Sequence, residues 1–343
     1  MPALRTVLVG YGGAGRWIHR PLLQADPGLV LTHVVTGDPG RRAAATADVP
    51  GVQVLSDTSG LADLAPDVVV VATPSATHLP VATAALAAGA AVVVDKPLAL
   101  SAEDTARLAE LAQERGQVLS AFHNRRWDSD TLTAAALLAG GDLGRVVRLE
   151  SRFQRFRPQV QRRWREDGPQ QGGGVLYDLG PHVVDQALHL LGPVTGVYAE
   201  VDVLREQAVG DDDVFLALEH ASGARSHLWC SAAAPVGGPR LVLEGTLAGW
   251  SKAGLDAQEQ ALKDGWQPGS EPGPAEPDGV LHDAAGSRPV GSLPGRWTAY
   301  YAAFAGSVRG QCPPPVTALD AVRVARVLDA ARISAGERRV VGP

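Results

Sequence analysis

The chain has 343 residues, more than one hydrophobic core usually needs, so two domains are expected. Its net charge of −6 argues against a protein that binds nucleic acid through a basic surface. No apolar run of about 18 residues could cross a membrane, and the 2 cysteines form neither a disulfide framework nor a metal site, so a cytoplasmic protein without a metal is expected.

A glycine-rich turn follows the first predicted strand, residues 6–10, and precedes a predicted helix at 16–25. Residues 10–15 read Gly-Tyr-Gly-Gly-Ala-Gly, the pattern G-x-G-x-x-G. Glycines let the backbone turn tightly and approach a pyrophosphate, whose charge the unpaired N–H groups at the helix start then stabilise. The pattern alone is weak, but its strand, turn and helix context indicates a dinucleotide site. The predicted cofactor-binding residues of this turn are Gly10, Gly12, Gly13, Ala14 and Gly15.

Apolar strands continue to alternate with helical patterns as far as residue 122. The further strands are predicted at residues 29–36, 52–55, 67–72, 91–95 and 118–121. The helices are predicted at residues 41–47, near Leu61, at 78–88 and at 101–115. This alternation predicts an α/β fold whose N-terminal Rossmann domain, residues 1–122, has a doubly wound parallel sheet that binds ligands at the carboxyl ends of its strands.

The end of the second strand distinguishes the two nicotinamide cofactors. NAD sites usually carry an acidic residue about 20 positions after the glycines, where it bonds the ribose 2′-OH. Here Thr36 and Gly37 occupy that position, and Arg41 follows within one helical turn, so a 2′-phosphate would meet a hydroxyl and a cation. NADP is therefore expected in preference to NAD, although Asp38 could reach back and replace the missing acid.

Two more segments end at the same edge of the predicted sheet. Thr73, Pro74 and His78 follow the fourth strand, and they are either cofactor contacts or simply a turn and a helix start. Asp95 and Lys96 follow the fifth strand. Lys96 is one of three lysines among 31 basic residues, and lysine can give up a proton where arginine cannot, so a chemical role is predicted. The alternative is a surface lysine whose stem packs on the protein.

Residues 123–343 follow a different pattern and are predicted to form a second domain. Strands are predicted at residues 146–156, 197–204, 213–219, 224–231 and 240–244. Helices are predicted at residues 130–139, 296–308 and 318–335, and the Gly- and Pro-rich segment 265–294 predicts loop and hairpin. The pattern indicates an α+β domain with a large open, mainly antiparallel sheet. One face of its first strand, with Arg148, Glu150 and Arg152, either meets solvent or pairs with a copy of the chain.

A glycine-rich segment lies between the first two of these strands. Three glycines at 172–174 precede Tyr177 and a predicted helix that Pro181 begins. Asp178 and His182 are four residues apart, so on one helix they share a face, and the carboxylate can hold the imidazole in one tautomer. The alternative is that Asp178 caps the helix and His182 is a core histidine.

Three motifs together resemble the Gfo/Idh/MocA family of sugar and polyol oxidoreductases: the glycine pattern at 10–15, Asp95-Lys96-Pro97, and Asp178-x-x-x-His182. The family more often has Glu-Lys-Pro, so Asp95 is a shortened variant. Longer segments resemble the branch that contains NADP-dependent scyllo-inositol dehydrogenases, and they lie at residues 122–130, 155–158, 163–166 and 177–182. The resemblance implies that the C-terminal sheet forms a homodimer or homotetramer.

The resemblance also implies roles for individual residues. Lys96, Asp178 and His182 would form the catalytic set. The residues implied to line the nicotinamide or the substrate are Asn124, Arg125, Trp164 and Tyr177. The implied reaction moves hydride between NADP, or NAD, and a secondary alcohol or ketone of a polyol or sugar, with an inositol as the nearest substrate type. Neutral His182 would accept the hydroxyl proton, while Lys96 would favour the developing alkoxide.

Two other functions are compatible with a chain of this kind. A non-catalytic NADP-binding regulator can use the fold, but it does not need Lys96 and His182 together. A redox-neutral glycosidase with tightly bound NAD also occurs among relatives of the family, and net turnover of the cofactor distinguishes it from a dehydrogenase.

Overall fold

The computed structural model describes residues 2–161, 164–270 and 273–343; Arg163, part of one quoted motif, lies outside the described residues. The strands are β1 (Leu4–Val9), β2 (Leu29–Val35), β3 (Gln53–Leu55), β4 (Val68–Val71), β5 (Ala91–Val94), β6 (Leu119–Ala121), β7 (Val146–Gln154), β8 (Val194–Asp202), β9 (Asp213–His220), β10 (Arg225–Ser231), β11 (Leu241–Gly245), β12 (Ala248–Lys252), β13 (Gly279–Asp283) and β14 (Gly286–Val290). The helices are α1 (Arg20–Ala25), α2 (Pro39–Asp48), α3 (Leu61–Leu64), α4 (His78–Ala87), α5 (Ala102–Glu114), α6 (Ser129–Gly140), α7 (Val175–Asp178), α8 (Gly180–Leu191), α9 (Gln258–Lys263), α10 (Thr298–Val308) and α11 (Ala318–Glu337). Within these described ranges, no helix is both long enough and apolar enough to span a bilayer.

Two compact units make up the chain. The first contains residues 1–124, 258–274 and 296–322, and the second contains residues 125–257, 275–295 and 323–343. The first change of unit lies close to the boundary that the sequence suggests after residue 122. Two later segments nevertheless fold with the N-terminal unit, whereas the sequence pattern assigns them to the second domain.

The first unit is built on a six-stranded sheet in the order β3-β2-β1-β4-β5-β6, and every pair in it is parallel. All residues of β4 and β5 are buried, since an unbroken apolar run suits a strand that is covered on both faces. The chain order reverses between β1 and β4, and ligands bind to folds of this kind at such a switch point. The predicted Rossmann domain is confirmed.

Helix α10 joins this unit through its aromatic side chains. The hydroxyl of Tyr300 donates to Ser120 Oγ at 2.8 Å, and the ring of Tyr300 packs edge-on against Phe122 with centroids 4.8 Å apart. The hydroxyl of Tyr301 lies 2.6 Å from Nδ1 of His19. A helical pattern shows that such residues are buried but not which sheet they cover, and for this reason the sequence does not place α10 in the first unit.

The buried imidazole of His19 should make stability depend on pH. Burial lowers its pKa from 6.5 to about 4, so the folded chain holds it neutral while the unfolded chain protonates it below pH 6.5. The stabilisation is complete above pH 6.5 and is lost as the pH falls towards 4. Between pH 7 and pH 5 the loss is about 2 kcal/mol. Urea unfolding of wild type and His19→Gln at both pH values measures it, and equal pH dependence in the two proteins would contradict it.

The second unit is built on an eight-stranded sheet in the order β14-β13-β12-β11-β7-β10-β9-β8. Only β7 and β10 pair in parallel, so the mainly antiparallel prediction is confirmed. In β7, Leu149 and Phe153 are buried in a core that also contains Val183 of α8 and Val327 of α11. The opposite face of β7 is half-buried and charged. Strand β12 and helix α9 are absent from the sequence prediction.

Candidate functional site

The four glycines of the first turn differ in what fixes them. At Gly10, φ is +99° and a Cβ would lie 2.4 Å from the carbonyl oxygen of Ala72, so only glycine fits. A Cβ on Gly15 would lie 2.1 Å from the carbonyl oxygen of Gly10. Gly13, by contrast, has nothing within 4 Å of such an atom. The chain's own packing therefore demands the outer glycines, while the middle of the turn is an open cradle that fits a pyrophosphate.

A half-buried carboxylate anchors this turn to α2. Asp48 accepts hydrogen bonds from the Tyr11 hydroxyl at 3.0 Å and from Arg16 Nε at 2.7 Å. Burial raises the pKa of Asp48, but these hydrogen bonds outweigh it and hold the pKa below its ordinary value. Ala14 precedes the π-helical turn Gly15–His19 that carries Arg16. The motif gave no sign of this anchor, because Asp48 is 32 residues away from Arg16 in the chain.

After the end of β2, the guanidinium of Arg41 reaches the glycine turn, whereas the carboxylate of Asp38 is engaged elsewhere. Asp38 caps α2, and its Oδ1 accepts from the backbone N–H of Arg41 at 2.8 Å. Thr36 is buried and Gly37 is exposed at the strand end. A Cβ on Gly12 would lie 3.9 Å from Nη1 of Arg41, so this guanidinium reaches the glycine turn. The carboxylate of Asp38 is thus engaged in a helix cap, and Arg41 is the charged group beside the cradle.

His78 links two of the predicted ligand segments. Its Nε2 lies 2.9 Å from the carbonyl oxygen of Thr73, and its Nδ1 lies 2.7 Å from that of Pro97. Burial lowers the pKa of His78, while the carbonyl of Pro97 and the charge of Asp95 raise it by less. A neutral imidazole donates to only one of the two carbonyls, whereas an imidazolium donates to both. His78 is predicted to be either a cofactor contact or a helix-start residue. In the structure it begins α4, and its buried ring connects two chain segments.

Lys96 lies on the segment that His78 holds. Its backbone N–H donates to Asp95 Oδ1 at 2.8 Å, and the Lys96–Pro97 peptide bond is cis. The lysine is half-buried, as is Asp95. Pro74, at the end of the neighbouring β4, is exposed and starts a 3₁₀ turn, Ser75–Thr77. The first unit therefore brings the glycine turn and both of these segments to one edge of its sheet.

Asp178 and His182 belong to two helices. Asp178 ends α7, Leu179 interrupts the helix, and His182 lies in the first turn of α8. Asp178 Oδ1 accepts from Arg165 Nε at 3.1 Å, and Asp178 does not cap α8. The two residues therefore do not lie on one continuous helix, and the shared face that such a helix would give stays a prediction. The half-buried carboxylate meets a guanidinium from an earlier turn.

His182 and two arginine side chains pack against the ring of Phe153, which lies on β7. The rings of Phe153 and His182 are stacked, with centroids 5.9 Å apart and planes 24° apart. The guanidinium carbons of Arg125 and Arg155 each lie 4.8 Å from the centroid of the Phe153 ring. Arg125 also pairs with Asp128 at 3.0 Å. The sequence indicated roles for Arg125 and His182 but not for Phe153. Alternation of apolar and polar residues in a strand identifies Phe153 as a core residue, but it does not show which side chains stack on its ring.

The remaining predicted residues occupy different environments. Asn124 is buried at the start of a 3₁₀ turn, Asn124–Trp127. Trp164 is half-buried, and Arg165 lies over its ring at 4.4 Å. Tyr177 is 7 % exposed, Arg332 covers its ring at 4.3 Å, and burial raises its pKa. In the part of the chain that the structure describes, no group of three or more His, Cys, Asp or Glu side chains could hold a metal ion.

Two family models match the chain and together cover most of it. Residues 4–123 match the model described as oxidoreductase family, NAD-binding Rossmann fold. Residues 131–250 match the GFO/IDH/MocA C-terminal domain.

Individual proteins match over almost the full length. The oxidoreductase YdgJ of Escherichia coli, which is uncharacterized, is 40% identical over 98% of this chain and 97% of its own. The NADP(+) scyllo-inositol 2-dehydrogenase IolW of Bacillus subtilis is 34% identical over 98% of this chain and 95% of its own. The solved structure of YPO2259 from Yersinia pestis has a TM-score of 0.92 and 37% identity, over 99% of this chain and 97% of that one.

Proposed function

The chain belongs to the Gfo/Idh/MocA family of oxidoreductases with an NAD-binding Rossmann fold, and on that basis we propose that it is an NADP-dependent dehydrogenase of a polyol or sugar. The observation that carries the proposal is the open glycine cradle with Arg41 beside it. The relative IolW, named as an NADP-dependent scyllo-inositol dehydrogenase, supports an inositol-like substrate.

We propose that Lys96, Asp178 and His182 act on the alcohol. The bound nicotinamide supplies the hydride acceptor. His182, held against Phe153, takes the hydroxyl proton, and the Lys96 ammonium hydrogen-bonds the oxygen and stabilises its developing charge. Asp178, held by Arg165, is proposed to orient His182 and to stabilise its protonated form. Asn124, Arg125, Trp164 and Tyr177 are proposed to shape the surroundings of the substrate and the nicotinamide.

A screen of inositols, their ketones and aldoses tests the proposed function. The absorbance of the reduced nicotinamide should change with at least one of these compounds, and it should change faster with NADP than with NAD. A non-catalytic regulator would bind the cofactor without turnover. A redox-neutral glycosidase would cleave a glycoside with no net change in absorbance.

Replacing Arg41 with alanine should reduce the ratio of NADP affinity to NAD affinity. A charge-assisted contact to the 2′-phosphate stabilises binding by about 1.5 to 3 kcal/mol, so NADP affinity should fall roughly 10- to 100-fold while NAD affinity is spared. Arg115→Ala, at the exposed C-terminal end of α5, is the matched control. Titration of both cofactors by protein fluorescence measures the ratio, and a wild-type protein that binds NAD more tightly than NADP would contradict the proposal.

The open face of the second unit's sheet is proposed as the interface of a homodimer or homotetramer. Trp229 and Phe215 lie on it with ring centroids 5.2 Å apart, and Arg152 stacks on Trp229 at 4.0 Å. The charged residues of β7 do not need a second copy in order to pair, because Arg152 already bonds Glu150 of its own chain at 2.7 Å. We therefore expect the half-buried aromatic rings, rather than new ion pairs, to supply the contact.

Light scattering at micromolar concentration should show more than one chain per particle, and Trp229→Glu should reduce that number. The substitution places a charge within the proposed apolar contact, which disfavours association. A wild-type protein that is monomeric under these conditions would contradict the proposed interface.

A further inference from the structure

A pocket lined by arginines lies in the second unit beside Asp178. Four guanidinium groups line it, those of Arg155, Arg157, Arg165 and Arg205, and its volume is about 60 Å³. A water needs at least about 10 to 15 Å³ measured in this way, so the space suits a group of a few heavy atoms and not a sugar ring. We call it the arginine pocket.

Two of these arginines are already paired with acids. Arg205 is 7 % exposed, and its Nε donates to Asp212 at 2.8 Å. Arg165 donates to Asp178 through Nε, and the structure shows no partner for its two terminal nitrogens among the described residues. Arg205 therefore serves the fold, whereas Arg165 can bond the carboxylate and a second acceptor at the same time.

Unlike Arg165 and Arg205, Arg157 pairs with no acidic side chain among the described residues. Its backbone is fixed on both sides, because its N–H donates to Ala232 at 2.7 Å and its carbonyl accepts from Arg205 Nη1 at 3.0 Å. Its side chain is exposed, and over residues 2–161, 164–270 and 273–343 it has neither a hydrogen bond nor an ion pair. A rigid backbone that presents an uncommitted guanidinium to a small pocket is suited to an anion.

The acids of the pocket leave Arg157 without an acidic partner among the described residues. Three acids, Glu166, Asp178 and Asp211, line the pocket with the four arginines, and Arg205 is also paired with Asp212. Asp211 accepts the backbone N–H of Leu176 at 2.7 Å. Asp178 would repel an anion, but Arg165 pairs with its carboxylate at 3.1 Å and compensates its charge. Arg157 is therefore the group of this lining that favours an added negative charge.

We propose that the arginine pocket binds the anionic group of the substrate, a carboxylate or a phosphate on the polyol or sugar. Arg157 and the terminal nitrogens of Arg165 are the donors. The inference rests on the proposed function and narrows it, because Asp178 lines the same pocket and is a member of the proposed catalytic set. The expected substrates are then sugar acids or sugar phosphates in preference to their neutral parents.

Kinetics with three matched substrates test this inference: a neutral hexose, its uronic acid and its phosphate ester. In wild type, kcat/KM should be higher for one or both anions than for the neutral sugar, and the two anions separate carboxylate from phosphate. In Arg157→Gln the ratio of anionic to neutral kcat/KM should fall roughly 10- to 100-fold. Arg157→Lys should retain part of it, since the charge stays and the fork is lost. Arg115→Gln, exposed and outside the pocket, should leave the ratio unchanged.

Inorganic phosphate serves as the probe that does not depend on turnover. It should inhibit competitively against the sugar, and calorimetry should show binding about tenfold weaker in Arg157→Gln. Inhibition that is competitive only against NADPH would overturn the inference. Suppose that neutral sugars react, that anionic sugars have no higher kcat/KM and that phosphate does not bind. The proposed anion site is then contradicted, while the proposed function stands. If no sugar reacts but phosphate binding depends on Arg157, the proposed function is contradicted and the anion site is supported.

Discussion

Replacing His182 with alanine should lower kcat by roughly 10²- to 10⁴-fold, the usual contribution of a positioned general base. Without the imidazole, the hydroxyl proton has no acceptor as hydride leaves the carbon. Since His182 is proposed to act on the substrate hydroxyl and the glycine turn to hold the cofactor, NADP affinity should change by less than about threefold. Steady-state kinetics with the best polyol and fluorescence titration of NADPH measure the two effects.

His189→Ala is the matched control for this variant, because His189 lies on the same helix with its side chain exposed. It should turn over at close to the wild-type rate. If His182→Ala did the same, another group would accept the proton. If instead both variants lost activity together with their helical content, the loss would reflect folding and not chemistry.

Replacing Lys96 with arginine should lower kcat by roughly 10²-fold or more, although the charge is kept. The compact ammonium can sit against the reacting oxygen, whereas the wider planar guanidinium displaces that oxygen from its reactive position. Lys263→Arg is the control, since Lys263 forms an exposed ion pair with Glu259 at 2.5 Å on α9. A Lys96→Arg protein with nearly wild-type kcat would show that Lys96 supplies only charge.

The double variant of Lys96 and His182 should lose far less than the product of the two single losses, since groups that act as a unit are not additive. If Lys96 and His182 acted independently, the double variant would lose the full product of the two single losses.

The parts that follow from local pattern could be predicted. The valine-rich strands β4 and β5, the glycine turn and the cap of α5 each depend on residues close together in the chain. Ser101 Oγ, for example, accepts from the N–H of Asp104 at 3.1 Å, as the spacing predicts. The open glycine cradle could also be predicted, because its function is a property of the backbone.

The parts that depend on distant contacts could not be predicted. His78 bridges carbonyls five and nineteen positions away, and Phe153 stacks on a histidine in another element. Pro181 marks the start of α8 in the sequence, but the sequence does not show that Asp178 ends a separate helix before it. Likewise, the sequence shows a basic segment at 155–165, but only the fold shows that Arg165 already pairs with an acid.

Transfer of deuterium tests the central claim most directly. The best polyol of the screen, labelled with deuterium at the reacting carbon, is incubated with NADP and the enzyme, and the reduced cofactor is analysed by mass spectrometry and NMR. We predict that NADPH carries the label at C4 of the nicotinamide, because hydride moves there directly without exchange with water. Accumulating product while the cofactor stays oxidised and unlabelled would contradict a dehydrogenase.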